Sequence, residues 1–168
     1  YALYNNTTGE NTAMGASALF LNTQGEFNTA VGSVSLFLNN TGDQNTAIGH
    51  QALHNNTTGE SNTAIGFQTL LNNSTGNSNT AVGLNAGANV VTAANVTCIG
   101  SNAAGADVSN TTWIANVYGV TTQNGTTAPV IVSANGQLGT AASSERFKKD
   151  IATMEKASEA ILSLRPVT

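Results

Sequence analysis

The first 142 residues of this 168-residue chain contain no lysine and no arginine. A body without a base has nothing to offer phosphate backbones or anionic lipid, so no nucleic-acid partner and no membrane insertion are expected. Five acids (Glu10, Glu26, Asp43, Glu60, Asp107) give residues 1–142 a charge of −5. Residues 143–168 hold four acids and all five bases, a charge of +1, and the sum is −4. Only 8% of residues are charged, against about one quarter in an ordinary soluble domain. Asn, Thr and Ser keep such a surface wet instead.

Cysteine occurs once, as Cys98, which excludes an internal disulfide framework. No run approaches the roughly 18 apolar residues needed to cross a bilayer, and no signal peptide is visible. The chain opens on Tyr1 without an initiator Met or a leading apolar run, and reads as a segment of something longer. No motif implies a cofactor.

What is present in abundance is one short phrase. Asn-Thr-Ala-Ile-Gly at Asn62–Gly66 recurs, with Met, Val or Ile in its fourth place, from Asn11, Asn28, Asn45 and Asn79. A decayed copy follows from Val96. The step is 17 residues throughout, and self-similarity at a fixed short period is the signature of a solenoid whose coils stack one on another. Numbered from its Asn, the repeat has Thr at position 2, a small residue at 3, an apolar residue at 4 and Gly at 5. Leu stands at 9 (Leu19, Leu36, Leu53, Leu70), Asn at 12 (Asn22, Asn39, Asn56, Asn73) and a second Gly at 15 (Gly25, Gly42, Gly59, Gly76).

The pattern predicts two short strands per coil, near positions 2–4 and 8–11, with turns at the two glycines, where φ values resisted by other residues are expected. Helix is excluded because Gly and Asn-Thr interrupt every run before three turns could form. The position-12 amides should bond coil to coil. Spaced at about 4.8 Å, the coils from Asn11 to Gly100 would stack to roughly 25 Å. Between Gly9 and Asn11 the turn is one residue short, so Ala2 to Ala18 is a step of 16. Turns tolerate such deletions.

Side chains alternate across a strand, so positions 3 and 4, and likewise 8 and 9, should face opposite ways although both are apolar. One face can fill the lumen of the coil and the other would meet water. Another copy of the chain is the simplest cover, and the two-sided pattern therefore predicts an oligomer.

Repeats of this kind, with Ala-Leu a few residues on, resemble the head repeats of trimeric autotransporter adhesins and similar repeats in phage tail fibres. The resemblance covers residues 1 to about 106. It implies a left-handed parallel β-roll with three chains to a head, placed outside the cell on a virion tail fibre or a cell surface.

Several residues invite a chemical reading. Glu10, Glu26, Asp43 and Glu60 share the turn after the second Gly, with Asn77 next in line. Such a column could hold a cation, but calcium loops carry several acids within one turn, and like charges along a ridge serve solubility. His50 and His54 lack a third ligand, so no metal site is expected. Cys98 falls where other copies have Ala and reads as a small buried residue. The Thr column at position 2 could offer a hydroxyl array for ice, although the paired Thr-x-Thr of ice-binding solenoids is missing.

Beyond Gly100 the period dissolves. Trp113–Tyr118 and Pro129–Val132 read as strands of a connector over 107–142, with turns at Asn124-Gly125 and Asn135-Gly136. Trp113 and Tyr118 are expected to close off the last coil. Ile114–Thr122 and Gly136–Thr140 resemble the connector that precedes the tail module next described.

That module, over 143–168, begins Ser143-Ser144-Glu145-Arg146-Phe147-Lys148-Lys149-Asp150-Ile151. It is similar to the opening of the endosialidase-type intramolecular chaperone of phage tail spikes and fibres, which drives trimerisation and then cuts itself off before a Ser. The resemblance assigns Ser143 as nucleophile and Lys148 as base, with scission after Ala142; Ser144/Lys149 has the same spacing. A Lys can act so only when burial depresses its pKa, which assembly would supply. A short helix over Met154–Leu164 is expected, stopped by Pro166.

The sequence thus predicts an all-β fold: a parallel β-solenoid of 17-residue coils, homotrimeric by resemblance, followed by a β connector and a short C-terminal helix. The expected function is structural and adhesive, directed at a host surface receptor or polysaccharide. Alternatives are a polysaccharide-degrading tail spike, for which five scattered acids offer no carboxylate pair, and an ice-binding solenoid.

Overall fold

A computed structural model describes residues 1–118 and 129–140. The helix and the Ser143/Lys148 pair expected from the sequence lie outside the described residues. Among those described there is no helix.

In the first unit, Tyr1–Val120, each repeat contributes one strand of three residues: β1 (Thr12–Met14), β2 (Thr29–Val31), β3 (Thr46–Ile48), β4 (Thr63–Ile65), β5 (Thr80–Val82), β6 (Thr97–Ile99) and β7 (Thr112–Ile114). The strands follow one another in a single parallel sheet with equivalent residues in register, Thr on Thr and Ala on Ala. The described residues of this unit form a parallel β-solenoid.

The second strand expected at positions 8–11 does not form. That segment is a turn, with positive φ at positions 7 and 9, as at Ser17 (56°) and Leu19 (49°) or Gln68 (53°) and Leu70 (49°). A left-handed conformation costs a bulky residue about 1–2 kcal/mol. Burying Leu19, Leu36, Leu53 and Leu70 completely offsets this by about 1.5–3 kcal/mol each. The same turn places position 8 inside as well (Ala18, Ser35, Ala52, Thr69), so positions 8 and 9 share the core and do not face opposite ways.

The two glycine columns have different reasons. At position 5 the conformation demands glycine, with φ of 126–137° from Gly15 to Gly83. At position 15 φ is ordinary, and space decides: a Cβ on Gly42 would overlap Asn39 Oδ1 and the Gly59 carbonyl.

Two columns of buried Asn tie coil to coil. At position 12, Asn39 Nδ2 donates to Asn22 Oδ1, Asn56 to Asn39 and Asn73 to Asn56, at 2.8–2.9 Å. Each also donates to the carbonyl of the position-15 residue in its own turn. At position 1, Asn28, Asn45, Asn62 and Asn79 form a second ladder, not anticipated from the sequence. Each Oδ1 accepts the backbone N–H of its counterpart one coil on; Asn28, Asn45 and Asn62 Nδ2 donate to the carbonyls of Gly42, Gly59 and Gly76, which the position-12 column also bonds, and Asn79 Nδ2 donates to that of Ala93. No buried side-chain polar atom among the described residues lacks a partner.

The first turn absorbs its missing residue as expected. Leu3 N–H bonds the Ala18 carbonyl, a step shorter by one than the Leu19–Ser35 bond that is its equivalent. At the other end the solenoid runs further than the sequence period. β7 pairs with β6 in register, Cys98 against Trp113, although the step from Thr97 to Thr112 is only 15 residues. The stretch read as the first connector strand is therefore a last, shortened coil.

Of the second unit, residues 129–140 form a hairpin of β8 (Val130–Val132) and β9 (Leu138–Thr140), antiparallel, turning at Asn135-Gly136.

Candidate functional site

With three residues to a strand, alternation leaves one inward and two outward columns. Position 3 points into the core: Ala30, Ala47, Ala64, Ala81 and Cys98 are fully buried. Burial pushes the Cys98 thiol pKa up, and the Gly87 backbone bond offsets this in part. Cys98 is thus an inert core residue, as its slot in the repeat predicts.

Positions 2 and 4 point out. The position-4 column (Met14, Ile48, Ile65, Val82, Ile99, Ile114) is 38–66% exposed, with Val31 half-buried. Beside it runs a column of threonines, one per strand from Thr12 to Thr112. The sheet thus presents one apolar and one hydroxyl column along its whole length, on a single face that no part of its own coil covers. The sequence-derived expectation of one core-filling face and one water-facing face holds for these positions.

A third column was not singled out from the sequence. At position 10, Tyr4, Phe20, Phe37 and His54 stack ring on ring, with centroids 5.1–5.4 Å apart and planes within 10°. At position 6, His50 stacks on Phe67 at 5.4 Å. Each histidine therefore belongs to its own aromatic column. No group of three or more His, Cys, Asp or Glu side chains that could hold a metal occurs among the described residues. The signal was available, since aromatics recur at 4, 20 and 37 at the coil spacing.

Glu26, Asp43 and Glu60 stack on one turn with Asn77 next in line, as the repeat predicts, whereas Glu10, with a φ of 61°, takes the place that Phe27 (58°), Gln44 (58°) and Ser61 (57°) hold in later coils and stands outside the acid column. Asp43 Oδ1 accepts the Glu26 backbone N–H at 2.8 Å, and Asn77 Oδ1 accepts that of Glu60 at 2.8 Å. Asp107 does more. One oxygen accepts the backbone N–H groups of Val91, Thr92 and Ala93 at 2.7–2.9 Å, and the other accepts the Thr92 hydroxyl. These amides hold its carboxyl down to a pKa of about 2. Asp107 is a clasp on the preceding turn.

At the end of the stack, Trp113 takes the inward slot above Cys98, and Trp113 Nε1 donates to Thr111 Oγ1 at 3.1 Å. The indole stands over the end of the core column but is 42% exposed, so the closure expected of it is incomplete, and Tyr118 is wholly exposed and closes nothing. Beside Trp113 opens a cleft of about 570 Å³ lined by residues 101–105 and 113–116.

No known family, curated protein or solved structure matches the chain. No helix among the described residues is long and apolar enough to cross a membrane.

Proposed function

We propose that this chain is the head or shaft of a homotrimeric extracellular fibre, with a structural and adhesive role on a phage tail or a cell surface. The observation that carries the reading is the outward position-4 column. Seven apolar rungs at one per coil are left open to solvent along the sheet. A second sheet of the same pitch meets such a column rung for rung, and the same chain supplies that pitch most simply. Three copies around a common axis cover all their columns at once. The aromatic and acidic columns lie at other positions of the coil, available for contact with a receptor or surface polysaccharide.

The resemblance of residues 143–168 to an intramolecular chaperone extends the reading. That segment directs trimerisation and, through Ser143 as nucleophile and Lys148 as base, releases the fibre after Ala142. The expected product is a fragment ending at Ala142, read directly by intact mass.

Sedimentation equilibrium of the full chain tests the fibre. The expected mass is three times 17.0 kDa, or three times that of residues 1–142 after scission. An ordered, soluble monomer overturns it. The in-register threonine column supports one competing use of the same face, ice binding. It requires that monomer, and ice-recrystallisation inhibition would read it out.

A further inference from the structure

We infer that the cleft at the last coil is a binding site for a neutral saccharide. The inference does not rest on the fibre reading, since a single chain builds the whole cleft. At every earlier coil from β2 to β6 the inward slot holds a small, fully buried residue. At the last coil it holds Trp113, and 42% of that residue remains exposed, on the wall of a cleft of about 570 Å³. That volume falls within the range of small-ligand sites, roughly 300–1,000 Å³.

The lining chooses the class of ligand. Trp113 Nε1 is already bonded to Thr111, so the indole offers apolar ring surface and not a donor. Around it stand Ser101, Asn102 and Asn116, with Ala104 and Gly105 leaving the space open. The Asn102 amide is held in place, donating to Ser101 Oγ at 3.2 Å and accepting from Asn85 Nδ2 at 3.2 Å. An aromatic surface beside neutral amides, that of Asn102 held and that of Asn116 exposed, suits a pyranose, whose C–H face lies on the ring while its hydroxyls bond the amides. No charged side chain lines the cleft. Phosphorylated and carboxylated ligands therefore find no cation, and quaternary ammonium groups find one aromatic ring and no carboxylate.

Trp113 is the only tryptophan of the chain, so its fluorescence reports on this cleft alone. Titration of the full chain with D-galactose, N-acetyl-D-glucosamine and maltotriose should give a saturable change for at least one of them, and calorimetry should give the same affinity. Adenosine monophosphate should give none. Asn116→Gly, which keeps the positive φ of 61° and removes the amide, should weaken binding about ten-fold, the value of one lost hydrogen bond. Trp113→Phe should weaken it with the far-UV spectrum unchanged. Three results overturn the site: no saturable response to any of the sugars, affinity unaffected by both variants, or emission already blue and shielded from acrylamide in the free chain.

Discussion

Asn56 Nδ2 donates to Asn39 Oδ1 at 2.8 Å inside the coil, with both residues fully buried. Removing this amide in Asn56→Ala leaves Asn39 Oδ1 without its donor and one N–H of Asn73 without its acceptor, since Asn73 Nδ2 otherwise donates to Gly76 alone. Two orphaned buried groups cost about 2–5 kcal/mol together. Asn72, next to the column but exposed, donates only to the Ala88 carbonyl. Asn72→Ala should cost well under about 1 kcal/mol. Urea unfolding of the two variants checks the contrast, and equal midpoints would remove the ladder from the account of stability.

The position-15 glycines allow a test with its own control. In Gly59→Ala the new methyl would strike Asn56 Oδ1 and the Gly76 carbonyl, both fixed by hydrogen bonds. Disruption of the ladder and the coil spacing should cost on the order of 2–4 kcal/mol. Gly9 occupies the same place in the shortened first turn, where a Cβ meets nothing within 4 Å. Gly9→Ala should be neutral to within about 0.5 kcal/mol. Thermal melts of both proteins decide whether crowding, and not φ, fixes glycine there.

How far the fold could be read from the residues follows from what a period reports. Equivalent residues 17 apart must stack, so the parallel register, the inward Ala column and the position-12 Asn ladder were all legible. The backbone path within a coil was not. Leu19 and Leu53 look like strand residues, and their left-handed φ of about 50° is tolerated only because the core takes their side chains. Positions 8 and 9 could then both point inward, which strict alternation forbids.

The last coil was hidden for a related reason. Its step is 15 residues and its inward residue is Trp113, so it matches the repeat neither in length nor in residue type. Hydrogen bonds that Asp107 accepts from the backbone of the preceding turn hold it in place. The cleft beside Trp113 depends on that placement and was not predicted.

Asp107 makes the stability of this end dependent on acid. Its carboxyl is held at a pKa of about 2, below the ordinary value of 3.8, because the backbone amides of 91–93 favour the charged form. A depressed folded-state pKa contributes stability that is complete above the unfolded value and is lost as pH falls through the folded one. The contribution should be intact above about pH 4 and decline towards pH 2. The group is exposed, so the effect is modest. Other carboxylates titrate in the same range, so the readout is the difference between the parent and Asp107→Asn. The gap between their melting temperatures should be widest at neutral pH and close on acidification. A gap that stays constant from pH 6 to pH 2 would show that charge on Asp107 does not hold the clasp.

Adjacent residues of β4 should respond in opposite ways to the same change. Ala64 is fully buried at position 3, and Ile65 is 39% exposed at position 4. A carboxylate at Ala64 is forced into an apolar core with no cation available, since no Lys or Arg lies within residues 1–142. Ala64→Asp should therefore abolish folding, through a penalty of several kcal/mol. A carboxylate at Ile65 is solvated in a lone chain and crowded in a trimer, where three like charges converge on one axis. Ile65→Asp, reinforced by Ile48→Asp one coil earlier, should leave the far-UV spectrum intact and reduce the sedimenting mass to that of one chain. Should the doubly charged variant sediment as the parent does, the outward column is not the surface that joins the copies, and the aromatic column at Phe20 and Phe37 becomes the next surface to charge.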